Sequence, residues 1–281
     1  MTDSHGVEIT FYEWPVANPK AIIQIAHGLG EHARRYDHVA EALNKAGYAV
    51  YADDHRGHGA TGVNMRAKGL IKQQGNLGPG GMPATFAAVR QLSHLIRGEH
   101  PTSKLILIGH SWGSMIAQRI LNKFADEYDM AVLTGSTLLL PGILPSGGFN
   151  KKYEAADKKA GIESGGGQWL SRDRSVGEKF RKDPMNFEET AMQVFGVKNT
   201  LALLGTPARR FPHDLPLLLM AGSEDVIGGE KGNVLLLNAY KKVGLTDIEL
   251  IVYEGARHEV FNETNKAEVI SDLVAWLDSR L

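Results

Sequence analysis

The feature that most constrains this chain is a repeated alternation. Short apolar runs, "AIIQIAHG" (21–28), "YAVYADD" (48–54), "KLILIG" (104–109), "MAVLTGS" (130–136), "LPLLLMAG" (215–222) and "IELIVYEG" (248–255), alternate with segments whose apolar residues recur at helical spacing. A continuous apolar run of this length reads as a strand buried on both faces. Such strands need helices above and below them, and strand–helix–strand units return each strand parallel to the last. The helical segments carry Tyr36, Val39, Ala40 and Leu43 before Gly47, then Phe86, Val89, Leu92 and Ile96 after Pro83, read as the opening of that helix. Met115, Ile116, Ile120 and Phe124 form a third face, and a helix at 231–243 ends before Gly244. The last helix has Asn265 and Glu268 at capping-box spacing, followed by Val269, Leu273, Trp276 and Leu277. Val7, Ile9 and Phe11 alternate with polar neighbours and read as a strand with one wet face.

The regular pattern breaks at 138–212, a stretch rich in Gly and Pro, short helical pieces and scattered aromatics. The expected organisation is a core of 1–137 and 213–281, with 138–212 an inserted cap (lid) subdomain after the sixth or so strand. A length of 281 residues suits one large α/β domain with such an insertion.

Composition narrows the chemistry. Apolar and charged contents of 43% and 22% are ordinary for a globular protein, and a net charge of −1 argues against nucleic acid as a partner. The chain has no Cys, which removes disulfides, thiolate zinc sites and Cys nucleophiles. "MTDSHGVEIT" carries no apolar signal core, and no 18-residue apolar stretch exists. The expectation is a cytoplasmic protein with no transmembrane segment, for which transient membrane contact and oligomeric state stay open.

Where the run "LILIG" meets a helical pattern, the chain reads Gly109-His110-Ser111-Trp112-Gly113. G-x-S-x-G between a strand and a helix is a nucleophile elbow. The turn is too sharp for bulky side chains two residues either side of Ser111, and it sets Ser111 at a helix N-terminus, where backbone N–H groups favour negative charge. A Ser hydroxyl needs a base. "MAGSEDVIGG" and "YEGARHEVFNE" place Asp225 and His258 just past the ends of two later strands, in the order Ser, acid, His. Ligands of open α/β sheets bind at such strand ends. His258 is expected to take the Ser111 proton, and Asp225 to orient the imidazole; Glu224 is the rival acid. The oxyanion hole is expected from the backbone N–H groups of Trp112 and of Leu29 in "AHGLGEH", with His27 buttressing that loop.

Two rival readings use the same residues. Gly28, Gly30 and Ala33 match G-x-G-x-x-A, with Asp53 or Asp54 ending the next strand, as in a dinucleotide-binding oxidoreductase. That reading leaves Ser111, Asp225 and His258 without a role. "DDHRGHGAT" (53–61) has the look of a metal cluster, but the spacing of His55 and His58 fits a loop site poorly. A structural role for Arg56 and these histidines beneath the site is expected instead, with no metal and no cofactor.

Taken in order, "HGLGEHARRY", "DDHRGHG", "GHSWGS", "GSED" and "GARHEVFNE" resemble the α/β-hydrolase branch of monoacylglycerol lipases and bacterial lysophospholipases. "LSRDRSVGEKFRKDP" (170–184) is similar to a cap segment of that branch. The resemblance implies a mostly parallel sheet with helices on both faces and a cap. It also implies Ser111, Asp225 and His258 as the triad and Leu29 and Trp112 as oxyanion donors. Trp112 departs from the Met usual there, Ala60 stands where Ser is common, and "GIESGGGQW" (161–169) is unusually Gly-rich. The expected activity is hydrolysis of monoacylglycerol- or lysophospholipid-like carboxylic esters through an acyl-enzyme. A carboxylesterase for xenobiotic or aromatic alkyl esters is the alternative, and a non-catalytic receptor on a hydrolase fold a remote one. Ile143, Leu144, Phe149, Trp169, Phe180, Phe187, Phe195, Leu201, Leu203 and Leu204 are candidates to line an acyl tunnel, under a cap that moves on glycines around 161–167.

Overall fold

In the computed structural model, which describes residues 1–140, 148–163 and 165–281, the apolar runs form one sheet. Its strands are β1 (Phe11–Trp14), β2 (Ile22–Ala26), β3 (Ala49–Asp53), β4 (Leu105–His110), β5 (Met130–Thr134), β6 (Leu217–Gly222) and β7 (Ile248–Tyr253). Their spatial order is β1-β3-β2-β4-β5-β6-β7, and every pairing is parallel except that of β1 with β3.

The period-2 alternation of side chains explains why these strands are apolar throughout. Ile22, Leu105 and Leu107 point into one core, while Ile23, Ile106 and Ile108 point into the other. The first core is roofed by α3 (Gly81–Glu99), α4 (Trp112–Phe124) and α8 (Gly229–Lys242), and the second by α1 (Asp37–Lys45) and α9 (Lys266–Asp278). A further helix, α2 (Gly59–Ala67), follows the β3 loop. The fold is thus a mostly parallel α/β sheet with helices on both faces.

Four details differ from the sequence reading. Val7 and Ile9 are buried, but they pack against Met65 and Ile71 of the α2 region, and the first strand begins at Phe11. Pro83 sits in the first turn of α3, two residues inside its start. The irregular segment follows the fifth strand, not the sixth: α5 (Lys151–Lys159), α6 (Arg174–Lys182) and α7 (Ala191–Leu201) lie between β5 and β6. Asn265 stands at the N-cap of α9 as expected, but its side chain makes no capping bond: its Oδ1 accepts from Arg172 Nη2 (2.9 Å) and its Nδ2 donates to Glu268 (2.9 Å).

Candidate active site

β4 ends at His110 and α4 begins at Trp112, so Ser111 alone makes the turn. Its backbone is left-handed (φ 52°, ψ −119°), a conformation that costs a non-glycine residue about 1–3 kcal/mol. The surroundings hold it there. Ser111 N–H donates to Thr134 O (2.9 Å), while its carbonyl accepts from the N–H groups of Ser114 (2.9 Å) and Met115 (3.2 Å). The need for Gly113 is a matter of space: a Cβ there would lie 2.0 Å from the Ala26 carbonyl of β2. The start of α4 is pressed against the end of β2, bringing Ser111 beside the Gly28 loop.

Asp225 follows β6 and His258 follows β7, two strands that are paired side by side. Asp225 Oδ1 accepts from His258 Nδ1 (2.9 Å) and from Ile227 N–H (2.9 Å). An ionised carboxylate only accepts, so Nδ1 carries the ring proton and Nε2 carries the lone pair. Nε2 is buried and has no hydrogen-bond partner among the described residues. Glu224 is turned outward, with its carboxylate paired to Lys152, so the structure brings Asp225 and not Glu224 to the histidine.

Burial opposes a charge on His258. The carboxylate of Asp225, its hydrogen bond, and the nearby Glu259 and Glu31 outweigh that cost and raise the pKa above the ordinary histidine value. For Asp225, burial alone would raise the carboxyl, but the His258 charge and hydrogen bond hold it below its usual range. His110 lies 4.8 Å from His258, ring to ring, and is pushed down to about 4 by burial and then by His258. Where neutral His258 is the base, kcat/KM for an ester should rise with pH, with a midpoint above the ~6.5 of a free histidine. A midpoint below that value would contradict the raised pKa.

The Gly28 loop is built on carboxylates and neutral imidazoles. Glu31 Oε1 accepts from Gly28 N–H (2.6 Å) and Tyr36 OH (2.8 Å), and Glu31 also pairs with Arg35. Arg35 forms a two-pronged pair with Glu259 (2.7 and 2.8 Å), next to His258. His27 Nε2 accepts from His55 N–H (3.0 Å), so its Nδ1–H donates to Gly28 O (2.7 Å), and His27 does buttress the loop. Burial pushes His27 well down and His58 down to about 3. Among the described residues, neither Leu29 N–H nor Trp112 N–H is used by the fold's hydrogen bonds.

The residues of the rival readings are spent on structure. Asp54 accepts from Ala33 N–H (2.9 Å), Ala60 N–H (2.7 Å) and Tyr12 OH (3.1 Å), and Asp53 accepts from His55 Nδ1 (2.8 Å). Both carboxylates at the end of β3 are fully buried and tied to the fold, Asp53 through one oxygen only, so neither is exposed to a ribose. Arg56 is fully buried, paired with Asp3 and donating to Leu77 O (2.9 Å). His27 stacks on His55 (4.0 Å), and Trp112 packs against His58 and Phe195 (both 4.7 Å).

Leu29, Ser111 and Trp112 open onto a cavity of about 510 Å³. The inserted segment supplies its other wall with Phe149, Trp169, Phe180, Phe187, Phe195 and Leu203. Leu201 does not contribute; it is 49% exposed, and Leu204 packs on the core beneath. Ile143 and Leu144 lie outside the described residues. Trp169 stacks over His258 at 4.9 Å.

Known proteins resemble this chain over nearly its whole length. The family described as serine aminopeptidase, S33, matches residues 17–265. The chain belongs to this family. As an S33-family protein it is a lipase/esterase-type hydrolase with the α/β-hydrolase fold. It is 32% identical to a monoacylglycerol lipase of Mycolicibacterium smegmatis, over 98% of this chain and 95% of that one. It is 27% identical to the Mus musculus monoglyceride lipase, over 96% of this chain and 86% of that one. A solved lipase in an open form superposes with a TM-score of 0.81 at 28% identity, covering 100% of this chain and 97% of the other. Among the described residues of this S33-family chain, no helix is long and apolar enough to cross a membrane.

Sequence reasoning missed Glu31, Arg35 and Glu259, and it named Trp169 only as a tunnel wall, not as a ring stacked on His258. Glu31 stood inside the quoted "HGLGEH", three residues after Gly28, the spacing at which a side chain reaches back to a backbone N–H. The Arg35–Glu259 pair spans 224 positions and leaves no local trace.

Proposed function

We propose that this protein hydrolyses carboxylic esters through Ser111, His258 and Asp225, and that neutral monoacylglycerols are its first substrate class. The observation that carries the reading is the pairing of a strained Ser111 at the start of α4 with a buried imidazole whose Nδ1 is tied to Asp225 and whose Nε2 is unpartnered. His258 Nε2 takes the Ser111 proton as Oγ attacks the ester carbonyl. The tetrahedral oxyanion faces the N–H groups of Leu29 and Trp112. Collapse breaks the bond to the alcohol oxygen, which leaves with the proton from His258. Water then attacks the acyl-Ser111 ester, giving its proton to His258, and the acid is released as Oγ regains that proton.

The inserted segment acts as the cap. Its aromatic wall over Ser111 suits an acyl chain, and each added methylene is worth about 0.8 kcal/mol, or roughly four-fold in affinity. Among the described residues, the exposed ones lining the cavity include Glu154, Glu188 and Glu189 against one cation, Lys151. Net negative charge there disfavours a phosphate head group and leaves an uncharged glycerol ester as the better fit. The names of the mycobacterial and mouse relatives agree with this choice. The test is kcat/KM for p-nitrophenyl esters of graded length, and for a monoacylglycerol against a lysophospholipid of equal chain. Rising values with chain length and preference for the monoacylglycerol are expected. A preference for acetate would turn the reading toward a general or aromatic-ester carboxylesterase.

A further inference from the structure

The loop that carries Leu29 is held from two sides, and only one belongs to the core. Within the loop, Glu31 takes the Gly28 N–H. On the far side of Leu29, Gly30 O accepts from Phe187 N–H (3.0 Å), in the connection between α6 and α7. The contact is backbone on backbone. Gly30 has φ +76°, and a Cβ there would lie 2.1 Å from the Phe187 carbonyl oxygen. Two residues on, buried His32 meets Asp183 of the same connection, Nε2 to Oδ2 at 2.9 Å. Asp183 Oδ1 accepts in turn from Met185 N–H (2.9 Å), and Asn186 donates to Phe180 O (3.1 Å), so the connection is itself braced.

We infer that Asp183 and His32 are positioning residues for the Leu29 N–H, so that the inserted segment sets the rate of the chemical step as well as the fit of the acyl chain. The inference rests on Leu29 as an oxyanion donor. Such a donor works only within about 2.7–3.1 Å of the developing charge, and its complete loss costs roughly 10²–10³ in kcat. A ligand wall acts differently: weakening it raises KM, more so for longer chains. An acetate ester has no chain for the aromatic wall to grip, so it isolates the first effect from the second.

The experiment measures kcat and KM on p-nitrophenyl acetate and on a longer ester for wild type, Asp183→Ala and Asp183→Asn, with melting temperatures and fluorophosphonate labelling of each. Asp183→Ala should lose about ten-fold or more in kcat on acetate with KM nearly unchanged, and by the same factor on the longer ester. Asp183→Asn keeps an acceptor for His32 and should recover most of that loss. His32→Leu removes the same bond from the other end, serving if Asp183→Ala does not fold. Folded variants with wild-type acetate kcat, or a loss confined to KM that grows with chain length, would overturn the inference. A wild type that is inactive and unlabelled would overturn the Ser111 reading instead.

Discussion

Ser111→Ala should leave a folded protein whose ester hydrolysis is close to background. The Ser111 hydroxyl makes no hydrogen bond that the fold uses, among the described residues; its backbone groups do that work through Thr134, Ser114 and Met115. Ala meets the same left-handed backbone that Ser already occupies, so little stability should change. On the proposed mechanism the catalytic loss is large, because the members of a triad act as a unit. Removing the nucleophile of such a unit costs on the order of 10⁶ in kcat and leaves roughly 10³–10⁴ over water from the oxyanion hole and binding. The check is turnover of a chromogenic ester beside a melting curve and fluorophosphonate labelling. Near-wild-type turnover in the variant would remove Ser111 from the mechanism.

The second large effect is at Asp225. Asp225→Asn keeps the shape of the side chain and places an amide where the His258 Nδ1–H now donates. If the amide presents N–H, the imidazole must move its proton to Nε2, which then has no lone pair for Ser111. The expected loss is on the order of 10³–10⁴ in kcat, with substrate binding little affected. Glu224→Gln is the matched control. It removes only a carboxylate that reaches outward to Lys152, and an exposed ion pair contributes about 0–1 kcal/mol. A crippled Glu224→Gln beside a mild Asp225→Asn would transfer the acid's role to Glu224.

The legible parts of this molecule were those encoded locally. Strands buried on both faces announce themselves as continuous apolar runs, and the elbow announces itself through Gly109 and Gly113 at fixed offsets from Ser111. The choice between Asp225 and Glu224 was not local. Adjacent residues look alike in sequence, and although Asp225 is the expected acid, it is the turn after β6, with Ile227 N–H and His258 both on Asp225 and Lys152 on Glu224, that sets which one faces His258. The first strand was misplaced for a related reason. Val7 and Ile9 are apolar because α2 covers them, not because they join the ladder. Asn265 had the right spacing to cap α9, yet Arg172, 93 positions away, took its oxygen. The brace from Glu31 through Arg35 to Glu259 was invisible for the same reason: charged residues with partners far along the chain look like solvated surface.

The backbone contact between Gly30 and Phe187 bears on how such an enzyme can evolve. A lid inserted between neighbouring strands is an inviting unit to exchange, since Ser111, Asp225 and His258 all lie outside it. Here the exchanged unit would carry away one of the two clamps on Leu29. A chimaera with a foreign insertion would have to bring its own partner for Gly30, or lose turnover on every substrate, including those the new lid accommodates. If the clamp works as inferred, changes within 183–187 should be epistatic with changes in the Leu29 loop, and substrate range and speed would then be inherited together.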